Sequence, residues 1–176
     1  MRRTARRLWR DRRGAALVEF AIIAPVMLLL LLGSVETAHL VESHRRVAHT
    51  ASAVADLVAQ ERQVDGAKLA DIFLAGDLII APLPPERLGV RVSSFVADSQ
   101  GKVSREWFAE GRPYAGGAPA SLPSGYTLPR GQGVIVADVS YRYRPVLRWV
   151  LLGEFTLQKR MLLRPRIADK VVRVTG

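Results

Sequence analysis

Arg12-Arg13-Gly14-Ala15-Ala16-Leu17-Val18-Glu19-Phe20, with the apolar run that continues from it to Val35, is the stretch that decides how this chain is built. From Ala15 to Val35 the only ionisable side chain is Glu19, and Leu28 to Leu32 is an unbroken leucine block. As an α-helix these 21 residues rise roughly 31 Å, about the thickness of a bilayer's hydrocarbon core. A buried core helix is the competing reading, but the rest of the chain is too short to wrap a second apolar shell around it. We therefore expect a transmembrane helix over residues 15–35, kinked where Pro25 interrupts its hydrogen-bond ladder.

Charge sets the expected direction of that span. The net charge of +10 is uneven: residues 1–13 hold seven arginines against the single acid Asp11. Basic residues beside a span stay on the cytoplasmic side, which puts the N-terminus in and the rest of the chain out. A phosphate-binding arm is the alternative use of such a cluster, but its position directly before a membrane helix is explained by topology, so no nucleic-acid partner is expected. A removed secretory signal fits poorly, because cleavage after Ala38 would place Glu36 at the third position back and the apolar region is too long. The paired arginines also lack the rest of a twin-arginine signal. With 176 residues there is room for one span and one modest domain. The absence of cysteine excludes disulfides and thiolate chemistry.

An acid inside a spanning segment is costly and by default marks a function with a partner. Glu19 lies only about 7 Å along the helix from Gly14, so a simpler reading is a carboxylate near the headgroups, favoured by the helix macrodipole. The run Arg-Arg-Gly-Ala-Ala-Leu-Val-Glu-Phe-Ala from Arg12 to Ala21 resembles the N-terminus of TadE-like (TadE/TadG) proteins, pseudopilin-related components of tight-adherence (Flp-type) pilus systems. The resemblance implies a basic leader over residues 1–14, a processing site at Gly14 and Ala15 cut by a prepilin peptidase, and an assembly role for Glu19 at the fifth mature position with Phe20 beside it. It also implies a single-pass protein of the bacterial inner membrane, with other pilin or pseudopilin subunits and pilus-assembly proteins as partners. Cleavage would free an ammonium on Ala15 that a Glu19 carboxylate in a neighbouring helix could pair, offsetting the desolvation of both charges. Ala15 and Glu19 are also four apart on one helix, so the same pair could close within one chain. Many type IV pilins begin the mature chain with a bulky residue, whereas this one would begin with Ala15.

Past Ser34 the helical apolar spacing continues at Val47, Ala51, Val54, Ala55 and Val58, without proline or glycine until Gly66, which predicts an amphipathic helical stalk over residues 36–64. His39, His44 and His49 recur every five residues, so successive rings point about 140° apart and cannot share one coordination sphere. They are read as solvated, and no metal is expected. Asp65-Gly66 breaks the pattern, and Leu69, Ile72 and Phe73 predict a short second helix ending near Gly76. The phrase Ala53 to Gln60 resembles a recurring stretch of the same families, as do Ser140 to Pro145 and Arg164 to Arg166.

From Leu88 the period becomes two, with Asp98-Ser99-Gln100-Gly101 as a turn and a return strand through Val103, Arg105 and Trp107, the last an inward core residue. Gly111 to Gly133 holds six glycines and four prolines and reads as a partner-binding surface or a disordered insertion, with the balance towards the insertion. Val134 to Tyr143 is apolar on both faces at its start, which predicts a central strand. Another strand spans Phe155 to Leu163 and is stopped by Pro165. Between them Val146-Leu147-Arg148-Trp149-Val150-Leu151-Leu152 is read either as core or as a segment at the membrane or an assembly surface. The expected class is α+β: a long N-terminal transmembrane helix continuing as a stalk, then a small antiparallel β-sheet domain over residues 65–176.

No catalytic constellation, zinc spacing or nucleotide fingerprint is present in the sequence. Glu106 and Glu110 stand four apart, but on a stretch read as strand and loop. Neither an enzyme, a cofactor nor a small-molecule substrate is expected. Two classes of function remain. One is a processed pseudopilin-like component assembling through its N-terminal helix. The other is an uncleaved bitopic anchor whose exported domain binds envelope or pilus-machinery proteins.

Overall fold

Proline aside at one position, nothing between Arg12 and Ala59 breaks a helix, and the computed structural model carries these residues as one continuous helix, α1 (Arg12–Ala59). The structure describes residues 12–115, 117, 121–123, 125–147 and 153–174; the basic leader before Arg12 and the stretch Arg148 to Leu152 lie outside them. Pro25 sits within α1 and has no N–H, so the carbonyl of Ala21 is left without its helical donor. The chain divides into two compact units, residues 1–39 with 145–153, and residues 40–144 with 154–176.

In the larger unit the amphipathic half of α1 is a core element. Val47, Ala51, Val54, Ala55 and Val58 are all fully buried, so the spacing that suggested a stalk is the face packed inside the outer domain. The unit holding the sheet accordingly begins at Leu40, within the segment expected to be stalk. The helix ends at Ala59, where the Arg166 N–H donates to the Ala59 carbonyl at 2.8 Å and so satisfies one of the orphan acceptors of a helix terminus. Residues 63 and 64, placed in the stalk by sequence, form a two-residue strand, β1 (Gln63–Val64).

The second helix, α2 (Gly66–Ile79), is capped by Asp65, whose side chain accepts the Lys68 N–H at 2.7 Å in the manner of an N-cap. It runs three residues past Gly76, where the sequence suggested an end. Gly76 serves close approach instead: a Cβ there would stand 3.3 Å from Val54 Cγ2 and 3.7 Å from Thr50 Cγ2 on α1.

After a single 3₁₀ turn at Pro85–Arg87 come the strands β2 (Leu88–Ala97), β3 (Val103–Arg112), β4 (Gly133–Tyr143) and β5 (Phe155–Leu163). They form an antiparallel sheet in the order β3-β2-β4-β5. The β2–β3 turn is held by Asp98 Oδ1, which accepts the N–H groups of Gln100 at 2.8 Å and Lys102 at 2.9 Å, with Gly101 at φ +83°. A last short strand, β6 (Val172–Arg173), pairs parallel with β1.

Both faces of the sheet are covered, which is why β2 and β4 are buried along nearly their whole length. One face carries Val90, Val92, Trp107, Ile135, Ala137, Val139 and Tyr141 into a core with α1 and α2. Trp107 lies inward as expected, its indole N–H donating to the Val171 carbonyl at 2.8 Å. On the other face Phe95, Ala97, Val134 and Val136 pack with Leu128, Leu122 and Tyr126 from the glycine- and proline-rich crossing. The described residues of that crossing are therefore a cover for the sheet and not the disordered insertion favoured from composition. Three anchoring side chains without period were enough to dock it.

Candidate functional site

Apart from half-buried Leu32, every large apolar side chain from Leu17 to Val35 is exposed. Leu17 is 69% exposed, Phe20 68% and Leu30 70%, and none of the apolar window is buried inside the protein. A helix that is apolar all round and uncovered by its own chain has no stable place in water. The helix is long and apolar enough to cross a membrane, as the sequence required. At its far end the Ser34 and Thr37 hydroxyls donate back to the carbonyls of Leu31 and Gly33 at 2.7 and 2.8 Å, which satisfies them within the helix.

The four residues singled out by sequence lie together near the start of this surface. Gly14 is exposed, within α1 and with nothing within 4 Å of the position a Cβ would take. Ala15 and Glu19 share one helical face, and Glu19 and Phe20 are both exposed. In the intact chain the Ala15 nitrogen is a helix amide without charge, so the ammonium partner considered for Glu19 exists only once the Gly14–Ala15 bond is cut. What this end of the helix offers is an apolar shaft with one acid and an accessible peptide bond beside it.

A second acid at the other end of the apolar run was not singled out by sequence. Glu36 follows directly on Val35, yet its side chain is only 1% exposed. Its two carboxylate oxygens accept backbone N–H groups, from Val146 at 3.2 Å and from Leu147 at 3.0 Å. Such donors offset the cost of burying the carboxyl group. The one available signal was position: an acid immediately after the long apolar run.

The outer face of the sheet carries a charge cluster also absent from the sequence reading. Cross-strand register aligns Arg91 on β2 with Asp138 on β4, and Asp138 with Arg160 on β5. Asp138 is buried, with Arg160 Nε at 2.6 Å and the Arg91 guanidinium at 3.6 Å. Arg91 also donates to the Gly117 carbonyl at 3.1 Å and lies 4.4 Å from the Tyr114 ring centre, while Arg160 donates to the Ser121 carbonyl at 3.2 Å. Burial, and secondarily Asp138, raise the Tyr114 phenol above its ordinary range. These contacts fasten the crossing chain to the sheet, so the cluster is a clamp rather than a reaction centre.

His39, His44 and His49 are exposed, and no group of three or more metal-ligating side chains occurs among the described residues. Glu106 and Glu110, noted for their spacing, are separately engaged: Glu106 pairs with Lys170 at 2.5 Å and Glu110 accepts the Tyr114 N–H at 2.9 Å.

No curated protein and no solved structure matches the chain. A family model does match its N-terminal part, opening on Gly14 and ending within the buried half of α1, so it takes in Glu19, Phe20 and Glu36 but not the phrases around Tyr141 and Arg164. Over residues 14–56 this chain matches the family of TadE-like proteins.

Proposed function

We propose that this protein is a non-enzymatic, pseudopilin-like component of a tight-adherence pilus assembly system. It is processed after Gly14 by a prepilin peptidase and assembles through its N-terminal helix, with the β domain on the far side of the inner membrane. The observation that carries this reading is the uncovered apolar shaft of α1, continuous with a folded outer domain and bearing Glu19 near its start. Lateral insertion of such a shaft among other pilin-like helices covers its surface, and a Glu19 carboxylate in that bundle is stabilised by an ammonium on Ala15. The family match over residues 14–56 supports the same reading.

Intact mass of the protein extracted from membranes tests it. Loss of residues 1–14 is the expected result, whereas a full-length chain returns the protein to the class of uncleaved bitopic anchors. Glu19→Gln is expected to leave insertion and cleavage intact while abolishing recovery of pilus or complex. Wild-type piliation in that variant assigns Glu19 to the helix dipole alone.

A further inference from the structure

We propose that Glu36 seats the turn at Pro145–Leu147 on the bilayer surface, so that the chain meets lipid at a second place besides the span. The inference rests on the reading of residues 15–35 as membrane-spanning. Glu36 is the first residue after that run, and the Cα–Cβ bond of every helical residue tilts towards the helix N-terminus, here towards the membrane. Its carboxylate holds the Val146 and Leu147 amides at 3.2 and 3.0 Å. These amides therefore lie within about 8 Å, one and a half helical turns, of the end of the apolar run.

The headgroup layer on one side of a bilayer is roughly 5–7 Å thick. The turn thus falls at the level of the headgroups or of the first acyl carbons. At that level Val146 is 71% exposed while Pro145 is buried. In water an outward valine is unfavourable, but at this depth it faces lipid. The side chain suits the location as well: buried and hydrogen-bonded to two amides, Glu36 is shielded from the membrane boundary. Lipid is the occupant argued for because the turn is tied directly to the end of the apolar shaft.

The chain has no cysteine, so single-cysteine variants of the full-length protein in phospholipid vesicles can each carry one environment-sensitive fluorophore. Val146→Cys places it on the turn, Leu28→Cys in the span and Ser99→Cys on the exposed β2–β3 hairpin. The probes are nitroxide-bearing phospholipids and a water-soluble quencher. At residue 146 the ratio of lipid to aqueous quenching is expected to be about tenfold above that at residue 99, the partition of a valine-sized group leaving water. Adding Glu36→Gln is expected to remove most of that difference.

If residue 146 behaves like residue 99 while residue 28 is quenched by lipid, the seat is wrong and the span stands. Shielding of residue 146 from both quenchers means that protein covers it, and also overturns the proposal. Water access at residue 28 defeats the membrane reading itself. An unchanged ratio after Glu36→Gln removes Glu36 as the positioning residue.

Discussion

Replacing Asp138 with alanine is expected to be among the most damaging single changes in the outer domain. The side chain is 1% exposed and pairs with Arg160 at 2.6 Å and Arg91 at 3.6 Å, and Arg91 is itself only 3% exposed. Removing the acid leaves the Arg91 guanidinium buried without its carboxylate, and losing one partner of a buried pair costs about 3–5 kcal/mol. Arg160, with a side chain 39% exposed, turns to water and adds little. For a unit of this size each kcal/mol lowers Tm by about 3–5 °C, so a fall of roughly 10–20 °C is expected. The near-ultraviolet dichroism of buried Trp107, followed on heating the full chain in detergent, measures it. The crossing chain should loosen together with the core, because Arg91 and Arg160 hold the Gly117 and Ser121 carbonyls. The double variant Arg91→Leu with Asp138→Leu should recover most of the loss, since an apolar pair replaces a buried ion pair at little cost. A fall of less than about 3 °C in the single variant, or no recovery in the double, would refute the buried-charge argument.

A Cβ at Gly14 would meet nothing within 4 Å, so Gly14→Ile should leave the fold untouched and block processing; normal cleavage by mass would count against a prepilin peptidase. In Gly89→Ala the new Cβ lies 2.5 Å from the Pro113 carbonyl oxygen and 2.9 Å from Tyr114 Cα. It should lower stability by about 1–3 kcal/mol in chemical denaturation, while Gly66→Ala, with open space around it, stays within about 0.5 kcal/mol. Burial raises the Tyr141 phenol above its ordinary value, so the folded state holds that proton more tightly than the unfolded chain. The resulting stability is complete below about pH 10 and is lost as pH rises through the higher folded value. Denaturation midpoints should therefore fall between about pH 9 and about pH 11, and less so in Tyr141→Phe.

What sequence revealed was whatever depends on neighbours in the chain. The β2–β3 hairpin was legible because alternation and the Asp98–Gly101 turn are local, and β5 because Pro165 bounds it. The double-sided apolarity of β4 was legible too, and its cause is the pair of cores that β4 separates. The failures share a different origin. Gly76 looked like a helix end, yet its role depends on Val54 of another helix. Strands β1 and β6 are two residues each, too short to show a period. Leu122, Tyr126 and Leu128 anchor the crossing without secondary structure, so composition alone suggested disorder. At the candidate site Gly14 and Glu19 stood out because an acid and a glycine are conspicuous in an apolar helix. Glu36 did not, since its importance lies in two amides from residues 146 and 147.

The parallel pairing of β1 with β6 also sets an order of events during synthesis. Gln63 must wait for Val172, and Val64 for Arg173, although all of α1 has long since left the ribosome. At about 5–20 residues per second, that interval is on the order of ten seconds. Val171, fully buried beside the α1 valines, arrives at the end of the same wait. Synthesis therefore delivers a helix whose inner face stands open until β6 arrives to pair with β1, a window in which a holding chaperone has something to bind.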